Sequence, residues 1–167
     1  MPSQKKLMMT VFWDCDGVIL INYLPKNVNI NNVYYSNLLC NDLRAALKNK
    51  IRGKLTSIPL LQQDNATSHT ASLTVNTVQQ MGWTLLPHPS TRRISPLAIS
   101  TSALKKPLRG NHFADADEMK TAVTQWVKDT PREFFRNGIR NLQHRWSKCI
   151  SLKGEYIEKF DIDSDDE

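Results

Sequence analysis

Apolar and polar positions fall into blocks along the chain, and each block predicts an element. Leu7 to Trp13 is an apolar run with strand character. Asp14-Cys15-Asp16-Gly17 supplies a turn and Val18 to Leu24 returns, so the segment reads as a β-hairpin. Asn29 or Asn31 can cap a helix. Tyr35, Leu38, Leu39, Leu43, Ala46 and Leu47 then recur at three- and four-residue spacing, an amphipathic helix to about Lys50. Ile58 to Leu61 is a short apolar run that reads as a buried strand delivering Asp64 to its carboxyl end. Thr67, Ser68 or Thr70 can cap a helix from about Ala71 to Gln80, Gly82 is placed to stop it, and Trp83 to Leu86 forms a further short strand.

From Ser90 to Leu104 the periodicity disappears. The stretch Ser90 to Ser102 has no acid and reads as a loop, and Lys105-Lys106-Pro107-Leu108-Arg109-Gly110 is a basic turn. Asp115 can cap a helix with Glu118 three residues on, and Met119, Ala122, Val123, Trp126 and Val127 form its apolar stripe. Thr130-Pro131-Arg132-Glu133 opens the last helix as Thr cap, Pro at the first position and Glu at the third. Phe135, Ile139, Leu142, Trp146 and Cys149 give it a buried face. Arg132, Arg136, Arg140, His144 and Lys148 lie four apart on another, which reads as a solvated face or, more sharply, as a phosphate-contacting row.

Composition narrows the class. With 167 residues, 40% hydrophobic and 23% charged, the chain has the make-up of one globular domain. No apolar run approaches the roughly 18 residues of a membrane span, and the start has no signal-peptide pattern. Cys15, Cys40 and Cys149 are far apart, which fits free thiols in a reducing compartment. The net charge is +6. Five acids crowd into residues 161–167, a tail expected to be disordered, and setting them aside leaves +11 on residues 1–160. Such a basic body suits a polyanionic partner, nucleic acid first. Lys48, Lys50, Arg52 and Lys54 also complement the dipole at the end of the first long helix.

Two segments carry candidate chemistry. Asp64 stands where a strand end meets a helix start, a common place for a metal ligand, although an Asp there is more often a local hydrogen-bonding residue. The second is Val11-Phe12-Trp13-Asp14-Cys15-Asp16-Gly17-Val18-Ile19, which resembles the first motif of haloacid-dehalogenase-type phosphatases. That resemblance implies Asp14 as nucleophile and Asp16 as general acid/base. No later Ser/Thr, Lys or paired-acid motif follows in order.

Gln63-Asp64-Asn65-Ala66, then His69-Thr70, Gly82-Trp83 and Leu86-Pro87-His88-Pro89, resemble the catalytic core of mariner-type DNA transposases of the Tc1/mariner superfamily. The likeness runs from about Lys5 to Phe160 and includes the hairpin, where the family also has a W-D-x-x-G-V-I pattern. It implies an α/β, ribonuclease-H-like mixed sheet flanked by helices, working in the nucleus on DNA. In that family three carboxylates hold two divalent ions, usually Mg²⁺, about 3.5–4 Å apart. Asp64 matches the second carboxylate, with Asn65 and His69 supporting its turn. The first carboxylate lies on a first strand upstream of the hairpin, so the expectation is a fold that lacks that strand and that ligand. The likeness also extends to a mariner-derived fusion with a histone methyltransferase, though no methyltransferase residues occur here.

The family's third carboxylate follows the second with thirty-four residues between, and from Asp64 that spacing lands on Ile99. The family motif there runs P-Y-S-P-D-L-A-P-S-D-Y. Arg93 to Ile99 can be encoded CGG ATA TCT CCC CTA GCG ATA. Entered two bases later, the string reads GAT ATC TCC CCT AGC GAT, or Asp-Ile-Ser-Pro-Ser-Asp, with the last Asp codon straddling Ala98 and Ile99. Residues 90–104 are therefore read as a transposase segment in a shifted frame. Genomic DNA is expected to carry codons that spell the family motif in the other frame; codons without that second reading would refute it.

The resulting expectation is a degenerate catalytic-domain fragment without strand cleavage, holding Mg²⁺ weakly or not at all. Lys105, Lys106, Arg109, Arg132, Arg136, Arg140 and Lys148 are the candidate DNA contacts. Partners would be DNA, a second copy or an intact transposase, and no membrane.

Overall fold

The computed structural model describes residues 7–26, 28–50, 58–87, 113 and 115–151, without the side chains of residues 145, 148 and 149. Its first unit is the expected hairpin. Strand β1 (Met9–Asp14) pairs antiparallel with β2 (Gly17–Tyr23), from Met9 against Tyr23 to Asp14 against Gly17. The register slips between Phe12, which faces Leu20, and Trp13, which faces Val18, so Ile19 is the extra residue of a bulge. Gly17 begins β2 at φ +123°, a conformation open to glycine and strained for any side chain.

A continuous helical run follows: α1 (Asn32–Asn37), a π-helical stretch (Leu38–Leu43) and α2 (Arg44–Lys50). Of the two asparagines that could cap it, Asn31 does so, its Oδ1 accepting the Tyr34 N–H at 2.8 Å. Tyr35, Leu38, Leu39, Leu43 and Leu47 are all buried, as their spacing predicts. They form the core with Leu61 and Val78, and Phe12, Ile19 and Leu20 of the hairpin pack against it. Lys50 reaches back to the hairpin turn, donating to the Gly17 and Val18 carbonyls at 3.2 Å each and pairing with Asp14 at 3.3 Å. This contact serves folding rather than phosphate.

Strands β3 (Leu60–Gln62) and β4 (Thr84–Leu86) pair in parallel, Leu61 against Leu85, as a strand–helix–strand crossover requires. The mixture of strand directions matches the expectation, but a continuous sheet does not form among the described residues. The antiparallel pair and the parallel pair are separate, each packed on the same helices. The apolar run 58–61 is also not uniformly buried. Leu61 faces the core at 9% exposure, whereas Ile58 and Leu60, three and one residues away, are 64% and 65% exposed. A strand paired on one edge and packed on one face can bury only alternate residues.

The turn after β3 forms a one-turn helix, α3 (Thr67–Thr70), then α4 (Ser72–Gln80). Neither helix has a side-chain cap: Thr67, Ser68 and Thr70 lie inside α3, contrary to the capping role expected of them. The reason is local, because Asp64 itself turns the chain one step earlier. Gly82 ends α4 as expected, in left-handed conformation (φ +72°). Its N–H bonds the Gln79 carbonyl at 2.9 Å, and the Trp83 N–H bonds Val78 at 3.1 Å, a Schellman closure.

Helix α5 (Ala116–Asp129) is capped by Asp115, whose Oδ1 accepts the N–H groups of Asp117 and Glu118 at 3.0 and 2.8 Å. Val123 is the buried centre of its stripe. Helix α6 (Arg132–Ser151) follows, but Thr130 does not cap it. Its hydroxyl donates to the Trp126 carbonyl at 2.7 Å, closing α5 instead. An aromatic chain joins these helices to the hairpin: Trp126 edge-on to Phe134, Phe134 to Phe135, and Phe135 6.0 Å from Trp13. Gly138 lets the Trp13 ring lie against α6, since a Cβ there would sit 3.3 Å from it. The buried face of α6 is shorter than its periodicity suggests. Phe135 is buried, Ile139 is 41% exposed, and Leu142 and Trp146 are half-buried, because the hairpin covers only the helix's first turns.

Candidate metal centre

Asp64 leaves β3 two residues beyond Gln62, with its side chain about half exposed. Its Oδ1 accepts two hydrogen bonds, from the Ala66 N–H at 3.0 Å and from His69 Nδ1 at 2.6 Å. The first is an Asx-type turn that starts α3, and the second folds α3 back over the strand end. Both fall on Oδ1, which leaves Oδ2 as the oxygen for an incoming cation. A carboxylate only accepts, so this contact is a hydrogen bond in the tautomer that carries its proton on Nδ1.

Gln63, 6% exposed, ties the turn together from below. Its Nε2 donates to the His69 carbonyl at 2.8 Å, and its Oε1 accepts from the Tyr35 hydroxyl at 3.1 Å. The Tyr35 ring, 2% exposed, stacks on the His69 imidazole with centroids 4.1 Å apart and 33° between planes. Spacing alone marks Tyr35 as one more core position. The residue that brings α1 into the site was therefore missed, and the only signal for it was a hydroxyl on an otherwise apolar stripe. Below this turn, Ser36 and Thr74 hydroxyls meet at 3.4 Å and Thr74 donates to the Ser68 carbonyl at 2.6 Å, fixing α3 between α1 and α4.

Burial, and then the nearby Asp64 carboxylate, push the Tyr35 hydroxyl well above the ordinary 10.0 of tyrosine. The folded state thus holds this proton more tightly than the unfolded state does. Stability from Tyr35 is complete below that ordinary value and falls as pH rises past it, where unfolded chains ionise first. Urea midpoints are expected to drop through the alkaline range in the wild type and to drop less in Tyr35→Phe; equal slopes would exclude this source.

A shallow cavity of about 220 Å³ opens beside the turn, between Asp64, Asn65 and His69 on one side and Leu85, Leu86 and Pro87 on the other. Asp64, Asn65 and His69 thus come together as the motif requires. No three His, Cys, Asp or Glu side chains gather to hold a metal among the described residues. Ile99, Lys105, Lys106 and Arg109 lie outside the described residues. On α6, Arg132, Arg140 and His144 are exposed, and Lys148 follows at the same spacing. Arg136 pairs with Asp16 at 3.3 Å and with Glu133 at 3.2 Å.

The two acids of the phosphatase-like motif are corrected by the same geometry. Asp14 accepts the Asp16 N–H at 2.9 Å and pairs with Lys50, while Asp16 pairs with Arg136. They close the tip of a hairpin and anchor two helices to it, which is a structural use for both carboxylates.

Comparison with known proteins decides the family. A family model described as a transposase (partial DDE domain) matches residues 1–57. The chain is 31% identical over 160 residues to the mariner Mos1 transposase of Drosophila mauritiana, covering 92% of this chain and 46% of that protein. The crystal structure of the Mos1 catalytic domain superimposes with a TM-score of 0.85 at 30% identity, covering 92% of this chain and 77% of that one. The chain belongs to the mariner transposase family. Its fold is the ribonuclease-H-like fold of the Mos1 catalytic domain. The human histone-lysine N-methyltransferase SETMAR is 29% identical over 165 residues, covering 92% of this chain and 23% of that protein. The chain therefore spans about half the length of Mos1 and a quarter of SETMAR. The phosphatase-like reading of Asp14 and Asp16 has no support from these relatives.

Proposed function

We propose that this chain is a mariner transposase catalytic-domain polypeptide whose phosphodiester chemistry is lost, and whose remaining capacity is salt-sensitive, sequence-independent DNA binding. The observation that carries the first half is that, among the described residues, no three His, Cys, Asp or Glu side chains gather at Asp64. One of its oxygens is already engaged by His69 and Ala66, and the position with thirty-four residues between it and Asp64 is Ile99.

The structure of the Mos1 catalytic domain and Raltegravir with Mg, and the crystal structure of the Mos1 paired-end complex with Mn, support a divalent ion in the family. A second shared element would be the paired DNA ends of such a complex, which supports pairing of two chains. The donor set here does not fit a two-ion site. One carboxylate and a neighbouring Asn65 amide can hold at most a single Mg²⁺ through Oδ2. Water activation and leaving-oxygen stabilisation both need a second ligand set. What the chain's own residues do is hold the Asp64 turn rigid: Gln63 bridges Tyr35 to the His69 carbonyl, and His69 fixes the carboxylate.

DNA binding is supported by the +6 charge and by the exposed α6 row of Arg132 and Arg140, extended in sequence by Lys148. The basic turn with Lys105, Lys106 and Arg109 is a second candidate contact. We assign residues 1–160 to the partial catalytic domain, with 90–104 as its frame-shifted segment. A DNA partner implies the nucleus, and no described helix is long and apolar enough to cross a membrane.

Retention on double-stranded DNA tests this half. Affinity is expected to fall linearly on a log–log plot against salt, each phosphate contact contributing a slope of about 0.9. The double substitution Arg132→Ala, Arg140→Ala should flatten that slope by about 1.8, two contacts' worth. Retention that ignores salt, or its absence at low ionic strength, would exclude the binding role.

A further inference from the structure

We propose that Tyr35, contributed by α1 from outside the Asp64 segment, is the positioning residue that sets the tautomer and orientation of His69 against Asp64. The inference rests on reading Asp64 as the cation-facing acid of the site. Three contacts converge to make it. The Tyr35 ring covers one face of the imidazole at 4.1 Å. Its hydroxyl donates to Gln63 Oε1 at 3.1 Å, which orients that amide so that Nε2 points to the His69 carbonyl at 2.8 Å. His69 is thereby held at its backbone and at its ring, and Nδ1 is left 2.6 Å from Asp64 Oδ1.

The alternatives available to the imidazole are limited. Rotation about χ1 would break the stack, and a ring flip would take Nδ1 away from the carboxylate and leave a C–H against Oδ1. A proton on Nε2 would set the Nδ1 lone pair against the ionised carboxylate, a repulsive contact at 2.6 Å. Gln63 works only in one amide orientation, because Tyr35 must donate while the His69 carbonyl must accept. A buried network in which each member fixes the next has a single low-energy arrangement. Tyr35 is 2% exposed and sits on the same helical run as the fully buried Leu39, so the anchor itself is stiff.

Nitrogen-15 NMR of the histidine-labelled full chain reads this directly. Spectra are taken across a pH series, and the tautomer is read where the imidazole signals are those of the neutral ring. The His69 signals are assigned by their loss in His69→Ala. The wild type is expected to show the Nδ1–H tautomer, with imidazole C–H protons shielded by the tyrosine ring. Tyr35→Phe should keep the shielding but admit the Nε2–H tautomer, because Gln63 is released. Tyr35→Leu should lose both signatures. Where Tyr35→Leu does not fold, Gln63→Ala takes its place, with shielding retained and the tautomer mixed.

An Nε2–H tautomer in the wild type would overturn the proposal. So would an unchanged His69 spectrum in Tyr35→Phe. A purely packing role for Tyr35 predicts that second result, since the phenyl ring fills the same space. DNA retention and strand cleavage do not enter these spectra, so the inference can fail while the functional reading stands, and the reverse.

Discussion

Leu39→Ala is expected to lower the free energy of unfolding by about 2–5 kcal/mol, the range for deleting a fully buried leucine side chain. Leu39 is 0% exposed and lies in the π-helical stretch, among Tyr35, Leu43, Leu61 and Val78. These neighbours come from three different segments, so they can close the resulting space only by moving helices relative to a strand. A domain of this size has about 5–15 kcal/mol in total, so this one change removes a large share. In melting temperature it amounts to about 2–4 °C for each kcal/mol. Val33→Ala, at a 53% exposed position of α1, serves as the control and should stay within about 0.5 kcal/mol. A urea melt followed by circular dichroism measures both. Equal midpoints for the two variants would mean that the core described here is not what holds the chain together.

The same substitution has a functional reading, because Tyr35 lies one helical turn from Leu39. A core that relaxes at position 39 shifts the ring covering His69. Loss of the His69 shielding in Leu39→Ala, at temperatures where the variant remains folded, would show core and site moving as one body.

How much of this was legible in the sequence depended on the range of the interaction. Most elements fixed by neighbours in the chain read correctly, the exception being the cap expected of Thr67, Ser68 or Thr70, which the Asp64 turn displaces. The Asp14–Gly17 turn, the Asn31 and Asp115 caps and the Gly82 stop each need only a few residues of context. The Tyr35–Leu47 stripe read correctly as well, since one helix face packs on one core. Readings that depended on what lies across the fold did less well. The apolar strand 58–61 is half exposed because burial requires a second face to pack on, and nothing in those four residues specifies one. Thr130 has two helices within reach and closes the earlier one. Arg136 fits a basic stripe by spacing but is drawn to Asp16, which lies on the hairpin far away in sequence. Asp64 was found through its motif, whereas the Tyr35 anchor beneath it joins residues 28 apart and leaves no local trace.

The second large effect is the loss of cleavage, and electrostatics sets its size. Two unit charges about 4 Å apart interact by about 4 kcal/mol at an effective dielectric of about 20, so two divalent cations at that distance repel by about 16 kcal/mol. Three carboxylates around such a pair offset that repulsion, but the one carboxylate that the described residues place there, with one oxygen already bonded to His69 and Ala66, does not. A lone ion at Oδ2 could still bind, yet it could not polarise both the attacking and the leaving oxygen of a phosphodiester. Rate enhancements of the order of a millionfold or more depend on that arrangement, and the expectation here is that none survives.

The most direct measurement is therefore nicking of supercoiled DNA by the purified 167-residue chain in Mg²⁺ and in Mn²⁺, beside Asp64→Ala. The account predicts the same background for both proteins with either metal. Metal-dependent nicking by the wild type that disappears in Asp64→Ala would contradict it, because other acids would then have to complete the site.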